Sequence, residues 1–244
     1  MEETAAALDE GVIEQLKGCS TATLTMQLLK RGFRNQFIVG VGALNPEASR
    51  FAGVAYTLRN IPAREDLSRP EVQADPRYPQ RLAIEETPAG SVLVMDCRGD
   101  QRAGMAGGIL AIRLMQRGVV ALVADGPMRD TPELERLAFP IFCSGAAAPA
   151  SLTCHFAVDV QRPIACGGVA VFPGDALVGD GDGVVVVPGH LASEVARDGL
   201  EQERLERFIQ MKVAQGRSIV GLYPANEETR AAYRQWIEDG EPEL

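Results

Sequence analysis

A single α/β domain is the fold class this sequence predicts, and two observations predict it. Residues 91–96 read as a short apolar strand, 104–117 as a helix with apolar residues at helical spacing, and 119–124 as a second strand. Strand, helix, strand in so short a stretch is the signature of a βαβ unit with parallel strands. The chain also has 244 residues, 46% of them hydrophobic, enough to bury one large core.

The other elements follow from local pattern. Residues 12–29 carry an apolar helical period that restarts near Ser20-Thr21, a pair suited to cap a helix, so two helices are expected. Residues 51–61 alternate small and β-branched side chains as a strand does, and 62–88, rich in Pro and Arg, read as an excursion from the core. Residues 140–143, 156–160, 168–172, 176–179 and 184–187 are short strands parted by Gly, Pro and Asp turns, which makes the second half β-rich. Pro188-Gly189-His190 leads into a long amphipathic helix with Leu200, Leu205, Phe208, Ile209 and Val213 along one side, stopped at Gly216. The stretch 223–244 holds one more weak helix.

Composition excludes several classes. A net charge of -9 without a basic stripe disfavours nucleic acid as a partner, because duplex binding neutralises phosphates with Lys and Arg. No 18-residue uncharged apolar run occurs, so no membrane span is expected, and Met1-Glu2-Glu3-Thr4-Ala5 lacks the basic start and apolar run of a signal peptide, so a cytoplasmic location is expected. Cys19, Cys97, Cys143, Cys154 and Cys166 form no C-x-x-C pair and read as reduced thiols. With only His155 and His190 available, zinc has little support; Cys154-His155 reads either as a buried pair or as a functional one.

The densest chemistry lies between Gly104 and Asp130. Gly104, Gly107 and Gly108 form G-x-x-G-G at a helix start, read either as close helix-strand packing or as backbone N–H groups that bind an anion such as a carboxylate. The spacing is not the dinucleotide fingerprint. Arg129-Asp130 falls just past a strand's carboxyl end, where open α/β sheets place ligands. Asp130 either caps a short helix, with Glu133 completing a capping box, or is free for a cation while Thr131 caps and Pro132 takes the first helical position. A free aspartate beside an arginine and a glycine anion site fits a hard cation held by carboxylate and water. Gly174-Asp175, Asp180, Asp182 and Gly183 lack the calcium-loop spacing and read as turns, and neither a Gly-x-Ser-x-Gly elbow nor a Walker lysine is present.

The sequence resembles the RraA-like family, which includes class II pyruvate aldolases acting on 4-hydroxy-4-methyl-2-oxoglutarate and 4-carboxy-4-hydroxy-2-oxoadipate. The resemblance rests on Phe51-Ala52-Gly53-Val54-Ala55-Tyr56-Thr57, on Gly107 to Ala111, on Arg117-Gly118-Val119, on Asp125-Gly126-x-x-Arg129-Asp130, and on Pro173-Gly174-Asp175 with Asp182-Gly183-Val184-Val185-Val186-Val187-Pro188. It covers residues 15–224 of one domain spanning 1–244, and leaves 225–244 as a tail. It implies a swivelling-type α/β/β sandwich with a C-terminal helical extension, assembled as a homotrimer or as a hexamer of two trimers with active sites between subunits.

By that resemblance, Gly107, Gly108, Ile109 and Leu110 supply amides to a pyruvate carboxylate, and Arg129 clamps the oxyanion. Asp130 is the metal ligand, and Glu206 of a neighbouring subunit holds metal-bound water. One departure stands out. The family's acidic residue after the first glycine is Gly108 here, so that the metal is held more weakly, the duty falls to Asp100 or Glu203, or the loss marks a different substrate. The resemblance thus implies a Mg²⁺- or Mn²⁺-dependent lyase that cleaves or decarboxylates a 2-oxo acid through a pyruvate enolate, as an aldolase or an oxaloacetate decarboxylase does. No Schiff-base lysine is needed, and Lys17, Lys30 and Lys212 are all distant in sequence from these motifs. The alternatives are a regulator that binds and inhibits an RNA-degrading endonuclease, as some family members do, and a dehydratase of sugar-derived 2-oxo acids.

Overall fold

The longest strand, β2 (Phe51–Pro62), organises the sheet in this computed structural model, which describes residues 8–242. The reading of the first five residues as no leader lies outside the described residues, as do the last two of the tail. β3 (Ser91–Asp96), β4 (Ala121–Ala124) and β5 (Ile141–Cys143) succeed β2 in parallel, and β1 (Gly42–Ala43) closes that edge antiparallel to β5. On the other side of β2, its first residues pair with β9 (Ala176–Asp180) and its last with β6 (His155–Val160), both antiparallel, and β10 (Gly183–Val187) follows β9. A register shift at Arg59/Asn60 interrupts the β6 pairing. β7 (Ile164–Cys166) and β8 (Val169–Val171) form a separate two-stranded ribbon.

The parallel strands are apolar on both faces because both are covered. Leu93, Met95, Leu122 and Ala124 face α3 (Pro79–Glu86) and α4 (Gly108–Gln116) through Ala83, Ile84, Ala111 and Leu114. Val92, Val94, Ala121 and Val123 face the ribbon through Ile164, Cys166, Val169 and Val171. Helix, sheet and ribbon give the expected α/β/β layering. The helices α1 (Glu10–Lys17), α2 (Thr21–Lys30) and α6 (Ala192–Ala214) cover β9 and β10 through Leu16, Leu24, Leu28 and Val195. α7 (Glu227–Glu238) joins the far half of α6 in a small second core of Phe208, Ile209, Leu222, Tyr233 and Trp236. Among the described residues no helix is long and apolar enough to cross a membrane.

Ser20 caps α2, its side chain accepting from Thr23 N at 3.1 Å, and Gly216 stops α6 with φ of 89°. Two expectations need correction. Residues 62–88 are not merely an excursion. They hold α3, whose Ala83 and Ile84 are core residues and whose neighbour Tyr78 accepts from Ala157 N at 3.0 Å through its hydroxyl. The buried stripe of α6 is also not the one read from its period. Val213 is exposed, and the stripe passes from Val195, Ala196 and Gly199 to Phe208 and Ile209, because the helix packs on α1 and α2 first and on α7 afterwards.

Candidate functional site

The loops after β3, β4 and β5 are tied together where the parallel strands end. Met105 N donates to Pro127 O at 2.8 Å and Arg129 N to Ala106 O at 2.8 Å, so the glycine loop and the Arg129 loop run side by side. Met128 N donates to Gly145 O at 2.9 Å, Ala147 N to Met128 O at 2.9 Å, and Gly104 N to Pro149 O at 3.0 Å, which adds the loop after β5. Met128 is fully buried beneath. Asp125 fixes the far side, accepting from Cys97 N at 2.6 Å, Gly99 N at 3.2 Å and Gly167 N at 3.3 Å. It is a joint between loops, which explains an aspartate at that place in the motif.

The three glycines of G-x-x-G-G each make room for one side chain of the next loop. A Cβ on Gly104 would overlap Arg129 Cγ and stand 2.6 Å from the Ala147 carbonyl oxygen. One on Gly107 would overlap the Asp130 carboxylate, and one on Gly108 would stand 2.6 Å from Glu133 Oε2. Close packing is therefore part of the answer to the glycine motif, and it packs the polar side chains Arg129, Asp130 and Glu133 onto the N-terminus of α4. Glu133 was legible only as a capping-box partner; its place over Gly108 is set by the fold.

Asp130 begins α5 (Thr131–Leu134) in the left-handed region, φ 57°, ψ 33°, and its side chain makes no cap bond to that helix. Its carbonyl accepts from Glu133 N at 2.9 Å and Leu134 N at 3.1 Å, while its carboxylate turns away and accepts from Gly108 N at 3.2 Å. Neither alternative holds as drawn: Asp130 is the backbone cap and Thr131 the first helical residue, yet the Asp130 carboxylate does not cap α5. The Gly108 amide is spoken for, and Ile109 and Leu110 offer the next amides in the first turn, where helices lack internal acceptors. Ile109 is 85% exposed.

A cavity of about 290 Å³ opens here, lined by Gly104, Gly107, Ile109, Leu110, Arg129 and Asp130 on one side and by Gln73, Gln80, Arg81 and Ser151 on the other. A larger one, about 660 Å³, lies at the opposite ends of the strands among Phe51, Gly90, Val119 and Pro140. The smaller is the candidate site because ligands of open α/β sheets sit at the carboxyl ends of strands and polar groups converge there.

Other expected residues lie elsewhere. Glu206, on α6, accepts from Gln202 at 2.8 Å and does not line the cavity of its own chain. The fallback carboxylates are both engaged: Asp100 pairs with Arg102 at 2.5 Å, which holds its carboxyl well below the usual range, and Glu203 accepts from Ser20 N at 2.8 Å at the start of α2. Neither lines the cavity; a side chain at Gly108 would instead meet the Glu133 carboxylate. Cys154 and His155 are both buried, and a ring nitrogen of His155 lies 3.2 Å from the Arg98 guanidinium, so the buried reading of the pair holds. Asp175 accepts from Phe172 N and Gly189 N, and Asp180 from Thr21 and Asp182 N, as turn residues do.

The fold is a mixed α/β sandwich whose glycine turn seats an Arg-Asp pair beyond a parallel strand. The chain belongs to the RraA-like family: the family model described as Aldolase/RraA matches residues 10–186. A 4-hydroxy-4-methyl-2-oxoglutarate aldolase of Thermus thermophilus is 34% identical over 108 residues, 44% of this chain and 65% of that protein. Streptomyces coelicolor RraAS2, an unusual member of the RNase ES inhibitor RraA protein family, superposes with a TM-score of 0.75 at 32% identity, covering 84% of this chain and 98% of that one. An uncharacterized protein of Pseudomonas syringae pv. tomato DC3000 has a TM-score of 0.77 at 26% identity, over 89% of this chain and 99% of that chain. The chain spans about half the length of the curated relatives it matches.

Proposed function

We propose that this chain is a divalent-cation-dependent lyase that cleaves or decarboxylates a 2-oxo acid. The observation that carries the reading is the pairing of Arg129 and Asp130 over the start of α4: among the described residues the guanidinium has no carboxylate partner and the carboxylate no cation. Asp130 would hold Mg²⁺ or Mn²⁺, with Glu133 beside it. Hard oxygen donors suit such an ion, and the Cβ-free cradle at Gly107 leaves the Asp130 carboxylate room there. No group of three His, Cys, Asp or Glu suited to a metal occurs among the described residues, so water and substrate oxygens would have to complete the ion's shell. When bound, the cation supplies electrophilic polarisation of the 2-keto and carboxylate oxygens.

The chain's own groups account for the rest. Amides of Ile109 and Leu110 at the helix N-terminus take the substrate carboxylate. Arg129 presents its planar fork to the 2-keto oxygen as negative charge develops there. Lys17, Lys30 and Lys212 do not line the cavity, so no Schiff base enters the scheme. The aldolase name of a relative supports the reaction class.

Arg129, Asp130, Glu133 and Ile109 are all exposed in a single protomer, whereas such chemistry needs a site shielded from water. We therefore propose a homotrimer, or a hexamer of two trimers, in which a second copy covers the site and brings its Glu206 to it. Five buried free thiols support a reducing, cytoplasmic setting.

The test is a coupled pyruvate-release assay on branched, dicarboxylic and sugar-derived 2-oxo acids with Mg²⁺, Mn²⁺ or chelator. Chelator-sensitive pyruvate release is expected; no release from any of them with metal present overturns the lyase. The likeness to RraAS2 favours a second reading, an endonuclease regulator. Inhibition of such an RNase that survives loss of Asp130, in a protein without turnover, would establish it instead.

A further inference from the structure

The cavity beside Asp130 has a second polar wall that this chemistry leaves unused. α3 brings Gln80 and Arg81 to it, and the short helical turn Pro70–Ala74 brings Gln73. Arg81 is half-buried, and its Nε donates to Gln73 O at 2.8 Å, which orients the guanidinium and leaves its terminal N–H donors free of any carboxylate among the described residues. Arg64 and Arg77, in the same segment, each have an ion-pair partner; Arg69 and Arg81 have none among the described residues, and of these two Arg81 lines the cavity.

Its position is also rigid relative to the catalytic loop. Gln80 Nε2 donates to Met105 O at 2.9 Å, tying α3 to the glycine loop, and Tyr78 ties the start of α3 to β6. The cavity therefore carries two guanidiniums, Arg81 and Arg129, against the one carboxylate of Asp130. A ligand with a single carboxylate uses the α4 amides and Arg129 and leaves Arg81 unpaired, which is costly for a half-buried cation.

We infer that Arg81 is a specificity-determining residue that receives a second anionic group on the substrate, so that α3 and the turn before it select 2-oxo acids with two carboxylates over those with one. The inference rests on the reading of the Arg129-Asp130 side as the 2-oxo acid end. A bidentate guanidinium–carboxylate pair is the recognition Arg performs and Lys does not reproduce.

The experiment is calorimetric titration of the full chain, in Mg²⁺, with pyruvate and with 2-oxoglutarate, using wild type, Arg81→Gln and Arg81→Lys, each checked by thermal melting. Arg81→Gln should weaken 2-oxoglutarate about ten- to hundredfold, the range for loss of a charged hydrogen bond, and leave pyruvate within about twofold. Arg81→Lys, which keeps the charge without the fork, should fall between and serves alone should the glutamine variant not fold. Equal weakening of both ligands, or of neither, overturns the role of Arg81 and leaves the lyase reading standing. Failure of wild type to bind either ligand removes that reading and this inference with it.

Discussion

Asp130 keeps its carboxylate free because its backbone sits at φ 57°, a conformation in which its carbonyl rather than its side chain meets the first turn of α5. Asparagine tolerates that conformation nearly as well as aspartate and carries no charge. Asp130→Asn should therefore abolish chelator-sensitive turnover while leaving the melting temperature close to wild type, and turnover that survives would disqualify Asp130 as the cation's ligand. Gly104 and Gly108 are not equivalent. A methyl on Gly104 meets the Ala147 carbonyl and Arg129 N at 2.6 and 2.8 Å, which are backbone atoms, whereas one on Gly108 meets only the movable end of Glu133. Gly104→Ala should cost about 1–3 kcal/mol by overpacking, and Gly108→Ala clearly less, in denaturant unfolding. Of these details the sequence left open whether the Asp130 side chain caps α5, and the fold shows that it does not.

Among the elements, α7 depends on one contact set. Trp236 and Tyr233 meet Phe208 of α6 at ring-centroid distances of 5.5 and 5.8 Å, in a cluster separate from the sheet core. Trp236→Ala should remove about 3–5 kcal/mol locally and free α7 without loosening the strands. Hydrogen exchange is the measurement: faster amides confined to 217–238 are expected, and a uniform increase across β2 to β5 would mean that α7 is part of the main fold. The strands were legible because their apolar runs are local. β1 and β7 were not, being two residues and three beside Pro163, nor was α3, whose helical period is hidden in a Pro- and Arg-rich stretch.

For the whole molecule, pH and assembly give two further expectations. Burial, with Arg98 adding to it, pulls the His155 pKa down from 6.5 to about 4. The folded chain then binds fewer protons than the unfolded one between those values, so stability falls as pH drops from about 6.5 to about 4 and levels off below. Up to about 3 kcal/mol is at stake. His155→Gln should flatten that part of the decline in melts at about pH 7 and about pH 4.5, which bracket most of that window; an unchanged slope would assign it to other groups. As to assembly, mixing inactive Asp130→Ala and Glu206→Ala chains should restore part of the activity, because some interfaces then carry both native residues. With subunit exchange verified, a mixture as inactive as either parent would place Glu206 outside the site.

Local pattern was enough for the α/β class, the strands that flank the site, the Ser20 and Gly216 helix boundaries, and the placing of Arg129-Asp130 beyond a parallel strand. These follow from periodicity and turn chemistry, which act over a few residues. Which side chains the glycines make room for, and which groups share the cavity, was decided by packing across the chain. Gly104, Gly107 and Gly108 receive side chains from the loop 129–133, and Arg81 arrives on a helix packed from yet another segment. Such meetings depend on how the sheet stacks distant stretches of chain, and no local pattern records the space one residue leaves for another far along the sequence.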